Sequence, residues 1–142
     1  MPLKQIDYGS KEYEQMLKLR YAVLRQPLGL NFTPDELERA KKDILLGCFD
    51  EEELQACCML TPKGNDIIKL RQMAVMNGLQ GTGLGRVMMI FAENVARDHG
   101  FKKLIMHART SAIGFYEKLG YSVSSDEFLE LTIPHYEMTK DL

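Results

Sequence analysis

The sequence is short of most features that mark a specialised class of protein. Its 142 residues hold only three cysteines, Cys48, Cys57 and Cys58. Cys57 and Cys58 are adjacent, so on a strand they point to opposite faces. An odd count without a Cys-x-x-Cys spacing argues against a disulfide framework or a zinc site, and reduced, packed thiols are expected. His99, His107 and His135 lie far apart and share no metal-ligand spacing, so no metal site is expected. Net charge is only −2, which removes the basic footprint of a nucleic-acid binder. No apolar run approaches a membrane span. The first residues, Met-Pro-Leu-Lys-Gln-Ile-Asp, lack an apolar signal core. A cytoplasmic protein that engages neither nucleic acid nor membrane is therefore the expectation. Internal repeats, linkers and low-complexity stretches are also missing.

What remains is ordinary globular material, 45% apolar and 27% charged. One domain over residues 1–142 is expected, large enough for a sizeable core. Residues 1–8 suit a first strand. Ser10 can cap a helix from Lys11 to about Arg25, with Tyr13, Met16, Leu17, Val23 and Leu24 at helical spacing and Arg20 as a polar break. Pro27 and Gly29 stop it. Thr33-Pro34-Asp35-Glu36 opens a second helix, running to about Lys42, with Thr33 as cap and Glu36 completing a capping box. Three strands follow, Ile44–Phe49, Leu54–Leu60 and Ile67–Val75. They are joined by an acidic hairpin turn at 50–53 and a turn at 61–66.

The stretch Val75-Met-Asn-Gly-Leu-Gln80-Gly81-Thr82-Gly83-Leu84-Gly85-Arg86 organises the rest. A strand enters it and a helix, 83 to about 99, leaves it. Val87, Ile90, Phe91, Val95 and Ala96 mark one face of that helix. Helix N-termini present unpaired N–H groups and a dipole that favours anions, and the glycines allow φ > 0 and close approach of a ligand. A phosphate or pyrophosphate suits that shape. The Gly-x-Gly-x-x-Gly fingerprint fails, because its third glycine would fall at Arg86, and no Gly-Lys-Ser or Gly-Lys-Thr follows for a P-loop. Residues 103–108 then form a buried-type strand, parallel to 67–75 through a βαβ crossover. Ser111 can cap a helix ending at Gly120, and Tyr121–Phe128 and Ile133–Lys140 read as closing strands.

The pattern Gln80-Gly81-Thr82-Gly83-Leu84-Gly85, five residues after a strand-ending Val, resembles the loop of the GNAT superfamily of acetyl-CoA-dependent N-acetyltransferases. A second element of that family, Ala112-Ile-Gly-Phe115-Tyr116-Glu117-Lys118-Leu119-Gly120-Tyr121, lies downstream in the right order and spacing. The resemblance covers nearly the whole chain. It implies an α/β fold with a mixed central sheet of about six to seven strands, about four flanking helices, and two splayed parallel strands. It departs from the family at Asn77-Gly78, where a proline is common.

The resemblance further implies acetyl-CoA as co-substrate. Its pantetheine arm would pair with the backbones of Met73, Ala74 and Val75. A backbone N–H near Met73 would act as an oxyanion donor. Its pyrophosphate would rest on the N–H groups of Gln80, Gly81, Thr82, Gly83, Leu84, Gly85 and Arg86. The cation of Arg86, which opposes the helix dipole, makes sense if it reaches a phosphate. Lys118 is read either as a contact to the adenosine 3′-phosphate or as a solvated helix face. Tyr116 stands at the position that supplies the acid in many members, and a phenol is matched in basicity to a departing thiolate. No acid stands in the strand Ile67–Met73, where some relatives keep a base. His107 is the best substitute by residue type; Glu130 and His135 are others. Arg20, Arg25 and Phe32 are candidates to line the acceptor side.

The leading expectation is acetyl transfer to an amine, a small metabolite first and a peptide or protein amine second. A small-molecule amine is thus the expected partner, and a homodimer is left open. The rivals are a non-catalytic acyl-CoA-binding module and a generic nucleotide-binding protein.

Overall fold

The structure is a computed structural model that describes residues 2–142. Met1, which the first-strand expectation included, lies outside the described residues. Strand β1 (Leu3–Ile6) leads into helix α1 (Lys11–Arg20), whose N-terminus Ser10 caps by accepting from the Tyr13 N–H. The helical path continues as a wide π-turn, Tyr21–Arg25, and a 3-10 turn, Gln26–Leu28, and ends at Gly29 with φ 68°. Helix α2 (Pro34–Arg39) starts at Thr33, which accepts from the Glu36 N–H. The Glu36 carboxylate reaches back to Thr33, accepting from its hydroxyl at 3.5 Å and from its backbone N–H, and so completes the capping box; it also meets Arg25, 2.9 Å away.

The sheet strands follow as β2 (Ile44–Asp50), β3 (Glu53–Gly64) and β4 (Ile67–Val75), then helix α3 (Leu84–Asp98) and β5 (Lys103–Arg109). Helix α4 is short, Ile113–Glu117, and the chain closes with β6 (Ser122–Val123), β7 (Phe128–Glu130) and β8 (Ile133–Asp141). All eight strands join one sheet in the order β1-β2-β3-β4-β5-β8-β6, with β7 added on β8. Among the described residues only the pair β4–β5 is parallel, as the α3 crossover requires.

Two apolar layers cover the two faces. One gathers Ile68, Leu70, Leu104, Met106 and Met138 under α3, with Tyr116 and Tyr121. The other gathers Leu45, Phe49, Cys57, Met59 and Ala74 under α1. Cys57 and Cys58 fall in different layers, as alternation demands. Burial pushes the Cys57 thiol up to about 12, so it packs as a neutral group.

Several sequence expectations need correction. Met88, Met89, Ala92 and Ala96 form the buried face of α3, and Ile90 is 46% exposed. That face also carries Glu93, which accepts from the Tyr121 hydroxyl at 2.8 Å and from Lys140 at 3.0 Å, tying α3 to the closing strand. Arg20, the polar break in the apolar pattern of α1, is itself buried: it is 2% exposed, and its guanidinium lies 4.6 Å from the Phe32 ring. The turn at 61–66 is tighter than expected, because β3 runs to Gly64 and only Asn65 and Asp66 turn, both with positive φ. Ser111 caps nothing; a 3-10 turn, Thr110–Ala112, precedes α4. Residues 121–128 do not form one strand. Ser124 and Ser125 bind Glu137 through their hydroxyls and replace part of the ladder with side-chain bonds.

Candidate functional site

The site begins as a fault in strand pairing. Strands β4 and β5 pair from Ile67↔Lys103 to Leu70↔Met106 and then stop. On its other side β4 takes on an extra residue. Cys57 pairs with Ala74 and Met59 with Arg71, so Gln72 and Met73 together oppose Cys58. This is a β-bulge, which bends the strand and increases its twist. Gln72 occupies the left-handed region at φ 55°, an uncommon place for a residue with a Cβ. The bulge also changes phase. Ile68 and Leu70 pack on the α3 layer, and beyond the bulge Met73 and Val75 do so while Ala74 faces α1. Main chain from Arg71 onward therefore faces a gap where β5 would have been.

A cavity of about 310 Å³ occupies that gap. It brings together six of the residues singled out in the sequence, Arg25, Met73, His107, Tyr116, Glu130 and His135. Tyr116 comes from the α3 side, 8% exposed, and burial pushes its phenol up to about 12. Its ring meets Phe115 and Tyr121 edge-on at 5.0 and 6.0 Å. His107 enters from the opposite face of the sheet. It is the first residue of β5 beyond the paired segment.

His107 is held by a carboxylate. Its Nδ1 lies 2.9 Å from Glu130 Oε1 and 3.3 Å from Lys69 Nζ. One ring nitrogen cannot donate to a carboxylate and accept from an ammonium together. The shorter, charge-assisted contact assigns Nδ1–H to Glu130. Nε2 is then a bare lone pair, with no hydrogen-bond partner among the described residues. Burial works to raise the Glu130 pKa, but the hydrogen bond and charge of His107, with His135 and Lys69, outweigh it and hold the carboxyl below its ordinary value. His135 is the other side of this cluster. Its Nδ1–H donates to the Ile133 carbonyl at 2.7 Å, and its Nε2 lies 3.6 Å from Glu130 Oε2. Glu130 is delivered by the β7–β8 hairpin, whose tip, Leu131 and Thr132, has φ of 52° and 64°. A β-branched residue there is strained.

The glycine-rich loop stands at the far end of β4. Gln80 ties it down by donating to the Val75 carbonyl at 3.0 Å and to Asn77 Oδ1 at 3.2 Å. Gly81 and Gly83 have φ of 83° and 91°, and a Cβ at either would meet nothing within 4 Å. Gly85 is helical; its role is steric, since a Cβ there would lie 3.3 Å from the Phe115 ring. The N–H groups of Gly81, Gly83, Leu84, Gly85 and Arg86 find no acceptor among the described residues, whereas the Thr82 N–H turns inward to the Leu79 carbonyl. Arg86 and Lys118 are exposed and form no ion pair among the described residues. Ala74, Val75, Lys118 and the loop do not line the cavity; they flank it.

Sequence reasoning missed Lys69, Arg71 and Gln72. Lys69 and Arg71 stand two apart on a strand, a spacing that puts them on one face, opposite the apolar Ile68 and Leu70. Of the acceptor-side candidates, Arg25 lines the cavity, while Arg20 and Phe32 sit behind it. No group of three or more His, Cys, Asp or Glu side chains that could hold a metal occurs among the described residues, and no described helix is long and apolar enough to cross a membrane.

Comparison with known proteins places this geometry. The family model for the acetyltransferase (GNAT) family matches residues 11–121. Two Bacillus subtilis proteins align with half of the chain. "Uncharacterized N-acetyltransferase YjcF" is 40% identical over 74 residues, 51% of this chain and 53% of its own. "Uncharacterized protein YyaT" is 38% identical over 74 residues, 52% and 50%. The chain thus spans about half the length of the curated relatives it matches. Among solved structures, an acyl-CoA N-acyltransferase from Pseudomonas aeruginosa superposes with a TM-score of 0.85 at 18% identity, covering 98% of both chains. An aminoglycoside 6′-N-acetyltransferase complexed with coenzyme A gives 0.83 at 16% identity, covering 99% of this chain and 97% of its own. These two share the fold. The match of the family model over most of the chain, on a sheet splayed at β4–β5 with a glycine-rich turn at the start of α3, means that the chain belongs to the acetyltransferase (GNAT) family.

Proposed function

We propose that the protein is an N-acetyltransferase that moves the acetyl group of acetyl-CoA directly to an amine. The observation that carries this reading is the cavity at the β4–β5 splay, where Tyr116 arrives from one face of the sheet and the His107–Glu130 pair from the other. Acetyl-CoA supplies the activated thioester. The chain fits it: five loop and helix-start N–H groups without acceptors converge where its pyrophosphate would rest, with no Cβ at Gly81 or Gly83 to obstruct it. Met73, Ala74 and Val75 offer main chain along the arm, Arg86 and Lys118 offer charge to the phosphates, and Gln80 and Thr82 hold the loop in shape.

His107 Nε2 accepts the proton that the attacking amine must lose, while Glu130 fixes the tautomer and offsets the positive charge that forms. The amine nitrogen bonds to the acetyl carbon as the carbon–sulfur bond breaks. Tyr116 gives its phenolic proton to the departing sulfur. Burial raises the phenol to about 12, so it holds its proton at neutral pH, and the same burial raises the basicity of a thiolate forming beside it.

The test is thiol release from acetyl-CoA across a panel of amines, with acetyl-CoA affinity measured by calorimetry. Tight binding with amine-dependent release supports the enzyme. Binding without release from any amine would replace it with a non-catalytic acyl-CoA-binding module. Tighter binding of ATP or NAD than of CoA would point to a generic nucleotide-binding protein.

A further inference from the structure

The face of the sheet opposite α3 holds a second cavity, about 440 Å³, which shares His107, Glu130, Arg71 and Gln72 with the first. Five cationic side chains line it: Arg25, Arg39, Lys63, Lys69 and Arg71. The chain as a whole is acidic, at −2, so this excess is local and not compositional. The two carboxylates on its wall are already engaged. Glu36 is 2.9 Å from Arg25, and Glu130 is 2.9 Å from His107. Lys63, Lys69 and Arg71 form no ion pair among the described residues.

Gathering like charges against a partly buried wall is unfavourable without a counterion. Lys69 registers it: burial, then Arg71 and Lys63, draw its pKa below the ordinary lysine value, against the pull of Glu130. The cations are not placed for the CoA phosphates. Lys69 and Arg71 project from the face of β4 away from α3, whereas the free loop N–H groups lie at the α3 start. Arg71 offers a planar fork of donors that matches a carboxylate or phosphate.

We infer that the acceptor amine carries an oxyanion, a carboxylate or a phosphate, which Arg71, Lys69 and Lys63 hold while the amine lies at His107. This rests on the acetyl-transfer reading and narrows it to small anionic amines. Polycationic acceptors are repelled by the same wall.

The experiment compares matched acceptors in the thiol-release assay: O-phosphoethanolamine against ethanolamine, β-alanine against β-alaninamide, and spermidine as a polycation. The anionic member of at least one pair should show a kcat/KM at least about tenfold higher, the scale of one hydrogen bond to a charged group. The pair with the larger ratio identifies phosphate or carboxylate. Arg71→Gln should collapse that preference, and Arg71→Lys should keep part of it. Equal rates within both pairs, or faster turnover of spermidine, would overturn the inference and leave acetyl transfer standing. If no amine releases thiol, the transfer reading falls, and calorimetry of O-phosphoethanolamine and β-alanine decides the anion site by itself. Binding that Arg71→Gln abolishes retains the site; absence of binding by both removes it.

Discussion

The two ends of the β4–β5 pair differ in every physical respect, although a single strand runs through both. At the closed end, Ile67–Leu70 pairs with Lys103–Met106, and Ile68 and Leu104 are fully buried under α3. Backbone bonds are made and side chains interlock. At the open end, one extra residue on the β3 side turns β4 away, the ladder stops, and polar side chains gather. The difference shows that the site is made by withholding a pairing rather than by adding an element. The closed end fixes where the gap begins. The gap then leaves main chain of β4 unpaired without needing a particular side chain at Met73 or Val75.

If that division is right, damage at the closed end should be felt as stability and damage at the open end as turnover. The largest effect is expected at Ile68, where the side chain is fully buried. Ile68→Ala should destabilise the fold by about 3 kcal/mol, from lost burial and an unfilled cavity. Urea unfolding measures it. Acetyl-CoA affinity of the folded fraction should hold; a variant that loses CoA but not stability would erase the distinction.

At the open end, Tyr116→Phe removes one oxygen and little packing volume. Turnover should fall by ~10²-fold, the usual scale for a general acid, with acetyl-CoA affinity held. A donor with a more acidic thiol should lose less, because its leaving group needs less help. Turnover close to wild type would make Tyr116 a packing residue of the α3 layer. His107→Gln should cost a similar ~10²-fold in turnover with acetyl-CoA affinity held. Turnover close to wild type would assign His107 to structure.

A smaller effect is expected beyond the open end, at the loop. Gly83→Val places a branched side chain where the phosphates would approach. Because the position has φ 91°, some strain accompanies it, although a Cβ meets nothing within 4 Å. Acetyl-CoA affinity should fall by about tenfold, as one charge-assisted contact is lost. Calorimetry on the folded variant reads it, and unchanged affinity would remove the phosphate-loop assignment.

How much of this was legible beforehand follows the same division. Local signals survive in sequence: the caps at Ser10 and Thr33, the glycines of the loop, and the period-two alternation through Ile68, Leu70, Leu104 and Met106. So do the positions of Tyr116 and His107, because motif and strand order place them. Signals that depend on a neighbouring strand do not survive. The bulge at Gln72 exists only in the register with Cys57 and Met59, and nothing in the residues around it announces it. Arg20 reads only as a polar break because its helix is judged alone; the Phe32 ring that covers it comes from another segment. The buried face of α3 was read rightly at Phe91, Val95 and Ala96 but wrongly at Ile90, which the sheet leaves exposed, since Met88 and Met89 carry a weaker apolar signal. The basic wall was hidden by an overall charge near zero.

The smallest effect tests the pair at the open end through linkage. Glu130 is held below its ordinary carboxylate value in the folded protein, chiefly because His107 outweighs the cost of its burial. Between the folded and unfolded pKa values the unfolded chain binds more protons, so stability rises with pH there. The contribution is complete above the unfolded carboxylate pKa and is lost as pH falls through the folded one. Glu130 is 44% exposed, so solvent screens the effect and only a modest shift is expected. Glu130→Gln should therefore melt slightly below wild type at pH 7, and the two should converge as the buffer is taken through the acidic range below the usual carboxylate pKa. The variant should also turn over more slowly at neutral pH, because the His107 tautomer is no longer fixed by an anion. A melting difference that stays constant on acidification would mean that Glu130 acts by packing alone. His107 would then be oriented by the Phe128 ring, whose centroid lies 4.9 Å from its own.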